Sequence, residues 1–342
     1  MNSVAAIILA AGKGTRMNSS RAKVSFNLAE KPMLQRVVDT AFALDAAKIA
    51  VVVGFQKEAV IACLEEDERL DFVDQTEQLG TGHAVMICED SFRDFDGDVF
   101  ILCGDVPLLR AETLQALYEE HSRTDASCTV LIAVLNDAGR YGRILRDAQG
   151  EVCGIVEYKD ASEEQRAIGE FNTGIYAFKA QELFSALKQT SNANKQGEFY
   201  LTDTVEIFRR QGKRVSSVVL EDLVEAAGVN SQEQLAELED AYVDRIRRKW
   251  LNQGVVMHNP STIYIGDEVV LEGDIEIGQN TILSGKTHVE EGVIIGPNCL
   301  VRDSKISRGS ILNGYNVLIN ALIHDEEVLD YMLCHEDDAV YE

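Results

Sequence analysis

The pattern of apolar and polar positions divides the chain into two parts with different periods. In the first two thirds, short apolar runs that suit buried strands alternate with stretches of helical period. The predicted strands are Val4–Leu9, Ile49–Val53, Val99–Cys103, Ser127–Val134 and Gly174–Phe178, and the predicted helices include Met33–Leu44 and Lys57–Glu65. Strands that alternate with helices predict an α/β domain with a mainly parallel sheet.

From Pro260 onwards, the aliphatic positions recur every six residues. Seven side chains keep this spacing, and three more resume it after a slip of one residue: Ile265, Leu271, Ile277, Leu283, Val289, Ile295 and Val301, then Ile306, Leu312 and Leu318. A six-residue period is typical of a β-helix with three short strands to each coil, and a β-sandwich with regular strands is the alternative. We expect the helical pattern of Asp325–Leu333 to cap the coil.

A single predicted helix, Ser231–Leu251, joins the two parts. Ser231 suits the N-cap, and the acidic residues precede the basic ones in the order that the helix dipole favours. We therefore predict a first domain over residues 1–230, a linker helix over 231–252 and a β-helix domain over 253–342.

Composition narrows the possible partners and the compartment. The formal net charge of -25 argues against a nucleic-acid partner and against an anionic membrane surface. A small anionic ligand remains compatible, because local cations and backbone N–H groups can hold phosphate in an acidic protein. The seven cysteines are scattered without a CxxC pair, which indicates reduced thiols. No basic residue precedes the first apolar run, so we expect a cytoplasmic protein.

The strongest local signal is the segment Leu9–Arg16, which follows the first predicted strand. Its two glycines let the backbone approach a ligand, as in loops that hold a triphosphate through N–H groups. The segment is neither a Walker A loop nor a dinucleotide fingerprint. Arg16 and Lys23 follow closely, and together they indicate phosphate ligands, although each alone is more often a solvated charge.

Two further strand ends carry candidate chemistry. Asp105 follows the strand Val99–Cys103, where a carboxylate suits Mg²⁺ that bridges substrate phosphates. An Asx-turn leading into Pro107 explains the same residues equally well. The Gly-rich segment Gln78–Ala84 suits contact with a base or a ribose.

Nine sequence features occur in order along residues 4–231. They are LAAGKGTRM, Lys23, QLGTGHAV, GDVPLL, YGRI, IVEYKDA, FNTGIY, NKQGEFYLTD and GVNS. With the following helix and the first hexapeptides, they resemble the pyrophosphorylase (uridylyltransferase) half of the bacterial bifunctional N-acetylglucosamine-1-phosphate uridylyltransferase/glucosamine-1-phosphate acetyltransferase family. The resemblance implies a Rossmann-like nucleotidyltransferase domain followed by a short left-handed parallel β-helix.

The resemblance also implies the substrates, the cofactor and the site. The substrates would be UTP and N-acetylglucosamine-1-phosphate and the cofactor Mg²⁺, with a homotrimer formed through the β-helix. The implied catalytic residues are Arg16 and Lys23, and the implied nucleotide-binding residues are Leu9, Ala10, Ala11, Gly12, Gly14, Lys23, Gln75, Gly80, Thr81, Gly104 and Asp105. The implied sugar-binding residues are Cys103, Gly142, Glu157, Asn172 and Asn230, with Asp105 and Asn230 as the metal ligands.

Three features depart from the family pattern. Ala22 precedes Lys23 where the family usually has Pro, which predicts a less rigidly held lysine, and Cys103 stands where the family often has Tyr. The acetyltransferase motifs of the distal coils do not occur before Glu342, so we expect no acetyltransfer.

Three other functions are open to the same sequence. One is a related nucleotidyltransferase that uses another sugar or base. Another is an inactive, nucleotide-binding regulatory homologue, which the joint presence of Arg16, Lys23, Asp105 and Asn230 disfavours. The third is an acyltransferase acting through the hexapeptide domain, which the missing motifs disfavour.

Overall fold

The structure is a computed structural model that describes residues 3–336. The chain divides into two compact units, Met1–Leu235 and Ala236–Glu342. A single helix, Gln232–Asn252, occupies the predicted linker. The assignment of separate roles to residues 1–230, 231–252 and 253–342 remains a prediction. Along the described part of the chain, no helix has both the length and the apolar character needed to cross a bilayer.

Eleven strands are described in the first unit. They are β1 (Ser3–Leu9), β2 (Asn27–Leu28), β3 (Lys31–Pro32), β4 (Lys48–Val53), β5 (Leu70–Asp74), β6 (Gly97–Cys103), β7 (Cys128–Val134), β8 (Arg143–Arg146), β9 (Val152–Val156), β10 (Glu170–Lys179) and β11 (Val215–Val219). The α-helices that begin in this unit are α1 (Met33–Phe42), α2 (Lys57–Ile61), α3 (Thr81–Met86), α4 (Ala111–Thr124), α5 (Glu163–Arg166), α6 (Ala180–Leu187), α7 (Asp203–Arg210) and α8 (Gln232–Asn252). Short 3₁₀ turns include Thr15–Met17, Lys23–Ser25 and Leu223–Ala226.

One mixed sheet forms the frame of the first unit, with the main strand order β11-β7-β10-β6-β1-β4-β5. Its neighbours pair in parallel except around β10, which runs antiparallel to β6 and to β7. Alternate residues of β1 enter opposite cores, so Ile7 belongs to one apolar cluster and Ile8 to the other. Burial on both faces explains why the central strands are continuous apolar runs rather than alternating ones.

The sheet confirms the predicted α/β class. Each of the five predicted strands is present within a few residues of its predicted bounds. Since β1, β4 and β6 are parallel neighbours, their carboxyl ends lie at one edge of the sheet, where ligands of such folds bind.

After α8, the second unit is a parallel β-helix whose strands stack into three faces. The first face contains β12 (Val256–Met257), β15 (Glu276–Ile277), β18 (Ile294–Ile295), β21 (Ile311–Leu312) and β24 (Val328–Leu329). The second face contains β13 (Tyr264–Ile265), β16 (Ile282–Ser284), β19 (Leu300–Arg302), β22 (Val317–Ile319) and β25 (Cys334–Glu336). The third face contains β14 (Val270–Leu271), β17 (His288–Val289), β20 (Lys305–Ile306) and β23 (Leu322–Ile323).

The hexapeptide positions form the core of this unit. All ten predicted aliphatic side chains are buried, and Ile323 and Leu329 continue the series. Stacked parallel strands of this kind are consistent with the predicted left-handed β-helix and exclude the β-sandwich.

The prediction of a capping helix over Asp325–Leu333 is wrong. The segment forms β24 and the turn after it, and it continues the coil. Glu326 and Met332 have φ values of 58° and 62°, which are incompatible with a right-handed helix. The Asn313 N–H donates to the Leu329 carbonyl at 3.1 Å, so hydrogen bonds between coils override the local helical pattern.

Candidate active site

A cleft of about 400 Å³ opens at the carboxyl edge of the sheet. It lies at the ends of β1, β4 and β6, between the loops that follow β1 and β5. Ten of the predicted site residues line it: Leu9, Ala10, Ala11, Gly12, Lys23, Gln75, Gly80, Thr81, Cys103 and Asp105. Gly104 is not among the lining residues, and its N–H donates to the Leu9 carbonyl at 3.0 Å, which joins two strand ends.

The loop after β1 is fixed in place while leaving room for a ligand. The Gln78 side-chain amide donates to the Ala11 carbonyl at 2.7 Å, which anchors the start of the loop. A Cβ added at Gly12 would meet nothing within 4 Å, so the backbone there faces open space. Gly14 has a φ of 57°, and a Cβ there would lie 2.6 Å from the Lys23 Cβ. The second glycine is therefore required by both its conformation and its close contact with Lys23.

Lys23 connects the predicted phosphate and metal residues. Its ammonium contacts Asp105 Oδ2, and it donates to Asn230 Oδ1 at 3.1 Å. Arg16 donates to the same Asn230 oxygen at 2.8 Å. The four residues come from positions up to 214 apart in the chain, and the fold collects them into one polar cluster.

The residues in this cluster fit a divalent metal. The Asp105 carboxylate and the Asn230 amide oxygen already converge on one cationic group, the Lys23 ammonium. Oxygen donors of these two kinds are those that Mg²⁺ prefers. Within the described residues, no group of three or more His, Cys, Asp or Glu side chains could hold a metal. A metal at Asp105 and Asn230 would therefore complete its shell with substrate phosphates and water, as Mg²⁺ commonly does.

The predicted base-binding residues Gln75, Gly80 and Thr81 also line the cleft. Gln75 is buried, and its amide donates to the Gly80 carbonyl at 3.3 Å. Gly80 has a φ of 105°, and a Cβ there would lie 2.6 Å from the Phe199 carbonyl oxygen. The Thr81 hydroxyl accepts from the Leu201 N–H at 3.2 Å, so this segment packs directly on the chain that precedes α7.

Four of the five predicted sugar-binding residues, all but Asn230, form a connected series that begins at the wall of this cleft. The Cys103 thiol lies 3.6 Å from the Gly174 carbonyl oxygen, and the Gly174 N–H donates to Asn172 Oδ1 at 3.0 Å. The Asn172 N–H donates to the Gly142 carbonyl at 2.9 Å. A Cβ added at Gly142 would lie 3.6 Å from Glu157 Oε1. Glu157 itself lines a second cleft of about 520 Å³.

Burial raises the pKa of two groups in this series. It raises the pKa of Glu157, and the neighbouring carboxylates of Asp160 and Asp203 raise it further, while a hydrogen bond from the Thr202 hydroxyl opposes them. Burial also raises the pKa of the Cys103 thiol to about 12, with Asp105 adding to the effect. Cys103 is therefore a neutral thiol near neutral pH rather than a nucleophile.

The structure places three further residues at the site, of which only Gln78 lies in a segment that the sequence had indicated for ligand contact. Gln78 and Glu198 line the first cleft, and the Thr202 hydroxyl donates to Glu157 Oε1 at 3.2 Å. These residues lie within the motifs QLGTGHAV and NKQGEFYLTD. These two motifs were the only sequence signal that could have indicated the residues. The sequence does not show that the two motif segments are in contact in the fold.

Known proteins resemble the chain along most of its length. Residues 5–254 match the family described as "Nucleotidyl transferase". The chain is 44% identical over 323 residues to "Bifunctional protein GlmU" of Geobacillus sp. (strain WCH70), covering 94% of this chain and 69% of that protein. It is 43% identical over 326 residues to the protein of the same name from Heliobacterium modesticaldum, covering 95% and 70%.

A solved structure, "The Crystal Structure of UDP-glucose pyrophosphorylase complexed with UDP-glucose", shares the fold. It matches with a TM-score of 0.59 at 18% identity, over 72% of this chain and all of that one. The fold and the family match define the chain as a nucleotidyltransferase, an enzyme class that generally uses a divalent metal. The chain belongs to the nucleotidyl transferase family and, within it, to the family of the bifunctional protein GlmU.

Proposed function

We propose that the chain transfers a uridylyl group from UTP to N-acetylglucosamine-1-phosphate, giving UDP-N-acetylglucosamine and pyrophosphate with Mg²⁺ as the metal. The observation that carries the proposal is the contact of Lys23 with Asp105 and Asn230, because Lys23 and Asp105 line the cleft together with Gly12 and Gly80. A phosphate ligand and two metal-ligating oxygens in one place are what phosphoryl-type transfer from a nucleotide requires. The family membership supports the same reaction class.

The proposed reaction is a single in-line displacement. An oxygen of the sugar phosphate attacks the α-phosphorus of UTP, the new P–O bond forms, and the bond to the pyrophosphate oxygen breaks. The attacking oxygen is already anionic, so no general base is required. Catalysis then depends on positioning and on neutralising the charge that develops, which Lys23, Arg16 and the loop around Gly12 would do.

Asp105 and Asn230 would hold the Mg²⁺ ion. When bound, Mg²⁺ supplies positive charge that offsets the charge on the phosphates. The Lys23 ammonium now contacts both of these oxygens, so in the loaded site we expect it to move from them to a phosphate oxygen.

The sugar would occupy the series that runs from Cys103 to Glu157. Asn172 carries an amide that can both donate and accept, and the Glu157 carboxylate accepts from sugar hydroxyls. The second cleft extends from Glu157 and is lined by further carboxylates, including Asp160 and Asp203, which would disfavour an additional phosphate there.

We further propose a homotrimer that forms through the β-helix, in a cytoplasmic protein without nucleic-acid or membrane partners. The second face supports self-association, because its strands align five outward apolar side chains in register: Tyr264, Ile282, Leu300, Val317 and Cys334. Contiguous apolar positions of this kind mark interaction surfaces. Analytical ultracentrifugation of the wild type and of Leu300→Glu tests the trimer.

Pyrophosphate release tests the reaction directly. The purified chain is incubated with Mg²⁺ and a panel of nucleoside triphosphates against a panel of sugar-1-phosphates. Release with UTP and N-acetylglucosamine-1-phosphate supports the proposal. Release only with another pair would assign a different sugar or base, and no release with any pair would favour a regulatory nucleotide-binding protein. The same samples with acetyl-coenzyme A and glucosamine-1-phosphate test the prediction that acetyltransfer is absent.

A further inference from the structure

The two proposed metal ligands stand on different segments of the first unit. Asp105 belongs to the loop between β6 and α4, and Asn230 ends the segment that follows the 3₁₀ turn Leu223–Ala226. One backbone hydrogen bond joins the segments near the site, from the Val229 N–H to the Asp105 carbonyl at 3.0 Å. The separation of the two ligand oxygens therefore depends on what else holds these segments together.

A second connection is made by Glu225, whose side chain is fully buried. Its Oε2 accepts from the Arg110 backbone N–H at 3.0 Å and from the Thr113 hydroxyl at 2.6 Å. Its Oε1 accepts from Arg110 Nε at 2.7 Å and also from the terminal guanidinium nitrogen. Arg110 ends the loop that carries Asp105, and Thr113 lies in the first turn of α4. The carboxylate thus binds the Asn230 segment to the Asp105 segment through four donors.

A simple packing role does not require such an arrangement. Burying a carboxylate is costly unless it is fully hydrogen-bonded, and apolar side chains of similar volume often hold two segments equally well. What the carboxylate adds is direction, because a charged group with donors on both oxygens fixes orientation as well as distance. Fixed orientation is needed where two side chains must present oxygens to one ion.

We propose that Glu225, through Arg110 and Thr113, is a positioning residue that sets the geometry of Asp105 and Asn230 and hence the affinity of the site for its divalent metal. The inference rests on the proposed function, because it takes these two residues as the metal ligands. Residues that orient metal ligands typically change metal affinity 10–100-fold when they are replaced.

The test measures Mn²⁺ binding by electron paramagnetic resonance with UTP present and a protein-free titration subtracted. Glu225→Gln keeps the size of the side chain but removes the carboxylate. The Arg110 side chain is 49% exposed, so water can hydrate its guanidinium when the ion pair is lost. We expect Mn²⁺ affinity to fall by about 10-fold or more. Thr113→Val removes one donor and should lower the affinity by less, in the same direction. Thermal unfolding monitors the fold of each variant.

The matched control is Asp147→Asn, which breaks the ion pair of Asp147 with Arg209 elsewhere in the same unit. It should lower the unfolding midpoint without changing Mn²⁺ affinity. The inference is overturned if folded Glu225→Gln binds Mn²⁺ within twofold of the wild type, or if the control weakens binding equally. If Glu225→Gln does not fold, then an unchanged Mn²⁺ affinity in Thr113→Val overturns the inference. A wild type that neither binds Mn²⁺ with UTP nor releases pyrophosphate would overturn the proposed function as well.

Discussion

Replacing Lys23 with alanine tests the polar cluster most directly. The substitution removes the ammonium that contacts the Asp105 carboxylate and the Asn230 amide oxygen. Both charged side chains are only partly exposed, 13% for Lys23 and 24% for Asp105, so bulk water substitutes poorly for the ammonium. In the proposed reaction, the same ammonium stabilises charge on the phosphates of the transition state.

Two magnitudes separate a catalytic role from a structural one. Losing one preorganised donor typically raises the barrier by ~3 kcal/mol, which is about a hundredfold in rate. Losing a partly exposed ion pair typically lowers stability by about 1 kcal/mol or less. We therefore expect Lys23→Ala to fold normally and to release pyrophosphate about a hundredfold more slowly at saturating UTP and sugar phosphate.

The assay compares this variant with Lys31→Ala, which breaks another Lys–Asp pair, that of Lys31 Nζ with Asp39 Oδ2 at 3.0 Å. Lys31 does not line the cleft, so its variant should keep near-normal turnover. Thermal unfolding and pyrophosphate release are measured on both proteins. Near-normal turnover in Lys23→Ala, or an equal loss in the control, would refute the role assigned to Lys23.

Three further predictions concern groups whose environment the structure defines. Because burial raises the pKa of Glu157, its carboxylate is protonated at a higher pH than an ordinary glutamate. The KM for the sugar phosphate should therefore rise more steeply on acidification in the wild type than in Glu157→Gln. Cys103, with its pKa near 12, should resist iodoacetamide under conditions that alkylate the exposed Cys334, as mass spectrometry can show. Ile295→Ala in the β-helix core should cost about 2–5 kcal/mol in denaturant unfolding, against about 0.5 kcal/mol for the exposed neighbour Ile294→Ala.

Each of these has a contradicting outcome. If KM depended on pH in the same way in the wild type and in Glu157→Gln, the pH dependence would come from titration of the substrate phosphate alone. The Glu157 carboxylate would then have no role in binding the sugar. Rapid alkylation of Cys103 would contradict the raised pKa of its thiol. Equal destabilisation by the two isoleucine variants would contradict the inward and outward assignment of the first face.

The fold was largely predictable because hydrophobic periodicity reports burial. Continuous apolar runs marked the central strands, and the six-residue spacing marked the inward positions of the β-helix. The antiparallel direction of β10 could not be predicted, because strand direction depends on connections rather than on the residues of the strand. The helix prediction for residues 325–333 was wrong for a related reason. The acidic and apolar residues of this segment suit a helix locally, but hydrogen bonds with the preceding coil decide its conformation.

The site was predictable only in pieces. The loop after β1 was indicated by its residues alone, because glycines at a strand end have a direct physical consequence. The contacts of Lys23 with Asp105 and with Asn230 join residues 82 and 207 positions apart, which no local pattern reports. Family resemblance supplied those positions, and the structure then brought them together. Glu225 carried no sequence signal, because a buried carboxylate and a surface glutamate look the same in a sequence.

The segment before Lys23 shows how the structure changes the interpretation of one departure from the family pattern. Ala22 stands where the family usually has Pro, which predicted a less rigidly held lysine. Yet Ala22 is buried and adopts φ -62° and ψ 133°, the φ that a proline ring would impose. Its carbonyl accepts from both the N–H and the hydroxyl of Ser25, at 3.1 and 2.9 Å. The 3₁₀ turn that carries Lys23 is thus held by packing and by Ser25 in the conformation that proline would favour, so the missing ring does not by itself release the lysine.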